Sequence, residues 1–180
     1  IRQDGPVTLP LPPLFAALSE VEAHVTAAGW DQPVRLFALA PTAELLASDP
    51  QLAPALGIEP GETPPPGALT PIEQEPFADA DLADALAQIA WPDQVAGCVL
   101  VQEVVVLPPD AEAAAPEATP EELAVWASGH PERQEVRLAV AVARDGERAC
   151  SVRLRAADEL LTGDDLAPAL AEALLATFDA

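Results

Sequence analysis

The chain has 180 residues, half of them apolar, and a formal net charge of −22 from 8 arginines and 30 acidic residues. This length fits one domain that buries roughly 70% of its unfolded surface. The charge excludes nucleic acid as a partner for most of the surface, because phosphate binding needs basic groups.

The first 13 residues are proline-rich and predict a flexible N-terminus ahead of a single domain over residues 14–180. This N-terminus has neither the basic region nor the apolar region of a signal peptide. The apolar runs of the chain are all shorter than the ~18 residues that would span a bilayer. The sequence therefore predicts a cytoplasmic protein with no membrane partner.

Helices and strands alternate through the first half of the chain. Apolar residues recur at helical spacing over 14–25 and predict a first helix that ends near Gly29. A short strand over 34–39 and a helix that begins near Thr42 follow. The proline-rich stretch 59–71 then predicts a loop.

The second half contains the strongest strand pattern. A helix over 79–90 precedes a strand over 95–107 that is apolar on both faces, which favours a central place in a sheet. Thr119 before Pro120 and two glutamates is typical of a helix start, and a last helix is predicted over 165–178. We therefore expect an α+β fold, with a mostly antiparallel sheet of about four strands flanked by four to five helices.

A hairpin near residue 145 has a register that the apolar pattern selects. A two-residue Asp-Gly loop would pair Leu138 with Arg153 and place an arginine on the apolar face. A three-residue loop over 144–146 pairs Leu138 with Val152 instead. We predict this second register, which puts Arg137 opposite Arg153.

Charge is unevenly distributed along the chain. Residues 133–155 contain six of the eight arginines and only three acids, a local balance of +3. Opposed arginines repel each other unless an anion lies between them. One interpretation is that carboxylates of this chain pair with them, with Glu103 as the first candidate because a buried carboxylate needs a partner. The alternative is that Arg137, Arg153 and Arg155, with Glu103, form a face that binds an anion or a partner.

The sequence predicts no catalytic residues, no metal site and no cofactor. Cys98 and Cys150 lack the spacing of a metal site and are interpreted as buried free thiols, with a disulfide or redox pair as the alternative. His24 and His130 have no nucleophile beside them in sequence that suggests a triad. The acid pairs lie at predicted helix starts, where they complement the helix dipole.

Several segments resemble an uncharacterised family of small acidic actinobacterial proteins. The segments are GWDQP at 29–33, GALTPIEQE at 67–75, IAWPDQVAGC at 89–98, HPERQEVRLAVAVARDG at 130–146 and LTGDDLAPAL at 161–170. The similarity covers about residues 14 to 178. It implies a cytoplasmic protein from a high-GC actinobacterium and carries no assigned chemistry.

These features favour a non-enzymatic protein-binding, adaptor or chaperone-like protein over an enzyme. Its acidic surface would attract a basic protein partner, and a homodimer is compatible with this interpretation. The alternative is a small-molecule binder or enzyme with a pocket on the sheet formed by Arg137, Arg153 and Glu103. A third hypothesis, mimicry of nucleic acid, needs evenly spaced carboxylates along one face, whereas the acids here cluster at helix starts.

Overall fold

A computed structural model describes residues 10–77 and 81–179. The strands in these ranges are β1 (Arg35–Pro41), β2 (Leu69–Glu73), β3 (Gly97–Val106), β4 (Gln134–Ala143), β5 (Arg148–Leu154) and β6 (Glu159–Gly163). They form one antiparallel sheet in the order β2-β1-β3-β4-β5-β6. The α-helices are α1 (Pro13–Ala27), α2 (Thr42–Ser48), α3 (Leu82–Ala87), α4 (Pro109–Ala113), α5 (Pro120–Gly129) and α6 (Pro168–Ala176). Two 3-10 turns, Pro50–Leu52 and Pro54–Leu56, follow α2.

The α+β class is confirmed, but the prediction of about four strands is wrong because the sheet has six. β2 begins inside the stretch 59–71 that was predicted as a loop, and it contains Pro71, which an edge strand tolerates. β6 follows a turn over residues 155–158, and four of its five residues are exposed. Its hydrophobic alternation is therefore too weak to reveal a strand. The described residues also form six α-helices, including α4, where four to five helices were predicted.

The centre of the sheet agrees with the sequence analysis. β3 and β4 are the two middle strands, so the central position of the apolar strand is confirmed. The hairpin register is also confirmed, because Leu138 pairs with Val152 and Arg137 with Arg153. Gly146 has φ 97°, and the Ala143 N–H donates to the Glu147 carbonyl at 2.9 Å, which closes the three-residue loop.

Most helices begin at residues that favour a helix start, such as a capping residue or a proline at the first helical position. Thr119 and Glu122 form a capping box at the start of α5. α6 begins at Pro168 rather than at residue 165, because proline is suited to the first helical position. The predicted helix over 79–90 is shorter in the structure, and its residues 79 and 80 lie outside the described residues, as do residues 1–9 of the predicted flexible N-terminus.

The core lies on both faces of the sheet. On one face, here called the α1 face, α1 packs on odd-numbered strand residues such as Phe37, Val99 and Ala141. On the other, the α6 face, α3 and α6 pack on even-numbered residues such as Leu100 and Val140. The longest helix described, α1, has 15 residues, and in the described ranges we find no helix with the length and apolarity to cross a bilayer.

Candidate functional site

The charged residues singled out in the sequence meet on the α1 face, where α1 ends. Glu103 of β3 pairs with Arg137 of β4, which in turn pairs with Arg153 of β5. All three are odd-numbered strand residues, so their side chains point to the α1 face of the sheet. Together with neighbouring groups they form what we call the arginine network, which comprises Arg137, Arg153, Arg155, Glu22, Asp31, Glu103, Glu135 and Asp158.

Arg137 is the buried centre of the arginine network, with 1% of its surface exposed. Its Nη2 donates to Glu103 Oε1 at 2.9 Å and to the Gly29 carbonyl, and its Nη1 donates to Thr26 Oγ1 at 3.1 Å. The guanidinium carbon lies 4.4 Å from the centre of the Trp30 ring. The C-terminal end of α1 therefore binds this arginine and separates it from solvent.

Arg153 joins the sheet to the middle of α1. Its Nε and Nη2 donate to the two carboxylate oxygens of Glu22 at 2.5 and 3.0 Å, and its Nη1 donates to Asp158 at 2.7 Å. Burial alone would raise the pKa of Glu22, but hydrogen bonds from Arg153 and Thr26 and the charges of Arg153 and Arg137 outweigh it and lower that pKa. Hydrogen bonds from Arg153, chiefly to Glu22, raise the pKa of the guanidinium in return. Both groups are held in their charged forms.

Arg155 extends the arginine network to the turn after α1. Its Nη1 and Nη2 donate to the carboxylate of Asp31 at 2.8 and 2.9 Å, and Nη1 also donates to Glu135 at 2.7 Å. Asp31 has φ 64°, an uncommon conformation for a residue other than glycine, and its backbone N–H donates to Glu103 Oε2 at 2.8 Å. This turn therefore contacts both β3 and Arg155, the residue that follows β5.

The structure thus brings together all four residues predicted as a binding face and pairs each with a group of this chain. Arg137, Arg153 and Arg155 each bind at least one carboxylate, and Glu103 accepts from both Arg137 and Asp31. This geometry supports the internal ion-pair interpretation. The ion pairs of the arginine network stabilise the contact between α1 and the sheet. Their role in this geometry is to pair charges within the fold.

Two cavities lie near the arginine network. A cavity of about 420 Å³ is lined by residues at the ends of β4 and β5, Arg155 among them. Another, of about 300 Å³, is lined by residues of α1, β1 and β2, including His24 and Glu73. Neither is lined by Arg137, Arg153 or Glu103, so neither forms the pocket that the small-molecule alternative needs.

The sequence analysis missed Glu22, Asp31 and Asp158 as carboxylate partners in the arginine network. Glu22 lies four residues after Leu18 and beside Val21, so it falls within the apolar stripe of α1. An acid on a buried stripe is the signal that could have identified it, because a buried charge needs a partner. Asp158 lies in the turn before β6, a strand that the sequence did not predict.

The two cysteines lie in the core on the α6 face, free and buried. Cys98 on β3 and Cys150 on β5 are separated by β4. Burial raises the pKa of Cys98 to about 12 and also raises the pKa of Cys150. Both thiols are therefore protonated at neutral pH, and among residues 10–77 and 81–179 we find no cluster of three or more potential metal ligands from histidine, cysteine, aspartate and glutamate.

A comparison with family models adds one relationship. The model described as PPA1309-like protein matches residues 14–179, which include the whole arginine network and all six strands. Comparisons with the curated proteins and with the solved structures found no match.

Proposed function

The chain belongs to the PPA1309-like protein family, an uncharacterised family, and on that premise we propose that it is a non-enzymatic adaptor or chaperone-like protein that binds a basic protein partner. The observation that carries this proposal is the pairing of Arg137, Arg153 and Arg155 with carboxylates of the same chain. These cations are occupied, so they do not offset the acids elsewhere on a chain of net charge −22.

The end of the molecule opposite the arginine network adds to the acidic surface. An open cleft of about 470 Å³ beside the start of α1 is lined by the acidic residues Glu44, Asp93, Asp145 and Glu147 and by one arginine, Arg144. The Arg144 guanidinium donates to the carbonyls of Val95 and Pro92, which directs it toward the protein. A cationic partner would meet a favourable potential here.

A surface of this charge acts over distance as well as in contact. Complementary charge raises the association rate of two proteins, and salt screens the effect because the Debye length falls from about 10 Å at 0.1 M to about 3 Å at 1 M salt. We therefore expect the partner to carry a positive net charge and to bind in a salt-dependent way.

The test is affinity purification of the tagged chain from cells of its natural host at 0.1 and 1 M NaCl. The expected result is a stoichiometric basic protein that is retained at low salt and released at high salt. The triple variant Glu44→Gln/Asp93→Asn/Glu147→Gln, which removes three negative charges from the cleft, should retain less partner than the wild type. Its control is Arg133→Gln, which removes an exposed positive charge and should retain at least as much partner as the wild type. Capture of no stoichiometric protein, or of an acidic one that resists salt, would overturn the proposal.

A further inference from the structure

The two edges of the sheet are built differently. β2, at one edge, contains Pro71 and is followed by Pro76, and proline has no N–H to donate to another strand. β6, at the other edge, contains no proline, and four of its five residues are exposed. In the described part of the chain no further strand pairs with it. β6 therefore has an edge that can accept a strand, whereas β2 is interrupted.

Backbone hydrogen bonds alternate along β5 between its two neighbours, β4 and β6, and this alternation shows which backbone groups of β6 have no partner strand among the described residues. The Arg155 N–H donates to the Glu135 carbonyl at 3.0 Å, so odd-numbered residues of β5 bond to β4 and even-numbered ones bond to β6. Val152 pairs with Leu161, which places Glu159, Leu161 and Gly163 in bonded pairs with β5. The backbone N–H and C=O groups of Leu160 and Thr162 consequently point outward.

Exposed leucines flank this row of backbone groups on both faces. Leu160 is 41% exposed on the α1 face, and Leu161 is 46% exposed on the α6 face. Leu166, 45% exposed, lies against Gly163, where an added Cβ would be 3.1 Å from Leu166 Cγ. A strand laid beside β6 would cover these side chains as well as pair its backbone.

Acidic residues bracket the strand on both sides. Asp158 and Glu159 stand at its start, and Asp164 and Asp165 follow its end. Asp158 is bound by Arg153, while Glu159, Asp164 and Asp165 form no ion pair among the described residues. An incoming strand with lysine or arginine at its two ends would match this pattern.

We propose that β6 binds an extended segment of the partner, apolar at its centre and basic at both ends, which adds a seventh strand to the sheet. This inference rests on the proposed function, because it takes the partner to be a basic protein. Main-chain hydrogen bonds to Leu160 and Thr162 supply affinity in this mode, and the leucines and carboxylates supply selectivity. The arginine network fixes the turn before β6 through Asp158 and Arg155, so the edge is held in place before binding.

A second copy of this chain fits the same edge poorly. Full antiparallel pairing of two β6 strands would centre on Leu161 and place Glu159 opposite Gly163 of the other copy. In the same register, Asp158 of each copy would lie opposite Asp164 of the other copy, so two pairs of like charges would face each other. Like charges directly opposite are destabilising. The charge pattern therefore favours a basic segment over self-association.

The test uses a fluorescein-labelled peptide, KKVTVTVKK, and fluorescence anisotropy with the full chain at low salt. We expect Thr162→Pro, which removes one outward N–H, to weaken binding roughly tenfold relative to Thr162→Val, which keeps it. Thermal unfolding of both variants checks that β6 stays folded. Equal affinity of the two folded variants, or no binding of the peptide to the wild type, would overturn the proposal.

A second measurement does not depend on how a variant folds. A version of the peptide that is N-methylated on all valines and all threonines has both strand edges blocked. We expect this version to lose binding to the wild-type protein, whereas binding equal to that of the parent peptide would overturn strand addition. The acidic peptide EEVTVTVEE should bind more weakly than KKVTVTVKK. A basic partner captured equally by Thr162→Pro and Thr162→Val would refute this site alone, while failure to capture any basic protein would refute the proposed function.

Discussion

Glu22 in the middle of α1 and Arg153 on β5 form a two-point ion pair, although 131 residues separate them in the chain. The side chain of Glu22 is only 7% exposed and that of Arg153 15%. A buried carboxylate is costly unless it is paired and hydrogen-bonded. This contact therefore fixes where α1 lies on the sheet, in addition to the apolar packing of Leu18 and Val21 beside it.

The first prediction concerns the strength of that contact. Glu22→Gln should lower the free energy of unfolding by about 2–3 kcal/mol, because it removes the charge that compensates Arg153. Urea denaturation followed by circular dichroism measures this difference. Glu20→Gln, an exposed position of the same helix, is the control and should change stability by less than about 0.5 kcal/mol. Equal effects of the two substitutions would contradict the structural role.

The second prediction concerns acid pH. The pKa of Glu22 in the folded state lies below the ordinary value of 4.5, so the unfolded state binds the proton more readily. The stability that Glu22 contributes is therefore complete well above pH 4.5 and is lost as the pH falls through the folded-state pKa. In unfolding measurements from pH 7 to 3, the wild type should approach Glu22→Gln as the pH falls. Parallel curves for the two proteins would refute this linkage.

The third prediction separates an internal ion pair from an anion-binding face. Arg137→Met should cost about 3–5 kcal/mol, because it leaves Glu103 without its buried partner. Adding Glu103→Leu should cost less than the sum of the two single changes, with a coupling of about 1–3 kcal/mol. Denaturation of the four proteins in this double-mutant cycle gives the coupling. Additive costs, together with a wild-type melting temperature that rises in phosphate, would favour anion binding.

The elements that local patterns encode were predicted best. The helical spacing from Leu14 to Val25 located α1, and alternation around Leu138 and Val152 gave the correct hairpin register. Both signals come from neighbouring residues that share one buried face. β6 was missed for the opposite reason, since most of its side chains are exposed and need no alternation.

The arginine network was predictable only in part. Glu103 stood out because a carboxylate in an apolar central strand needs a partner, and strand pairing places it beside Arg137. The contributions of Glu22 and Asp31 depend on how α1 and its following turn lie across the sheet. That placement is a tertiary property, which spacing along the sequence does not contain.

The fourth prediction concerns the cysteines. Burial raises the pKa of Cys98 to about 12 and also raises the pKa of Cys150, and both side chains lie in the core, where a thiol reagent does not reach them. We expect Ellman's reagent to label neither thiol in the native protein and both in 6 M guanidinium chloride. Labelling of the native protein within minutes would show that one thiol lies nearer the surface than the structure places it.

The fifth prediction concerns the first residue of β3. An added Cβ at Gly97 would lie 2.5 Å from the Val142 carbonyl oxygen and 3.2 Å from Ala143 Cα, both backbone atoms of the neighbouring central strand. Because neither can move without shifting β4, Gly97→Ala should cost about 2–3 kcal/mol or more. Gly129→Ala, at the end of α5, has open space around the added methyl and should be nearly neutral. Thermal unfolding compares the two, and equal melting temperatures would mean that β3 and β4 pack less closely than this register requires.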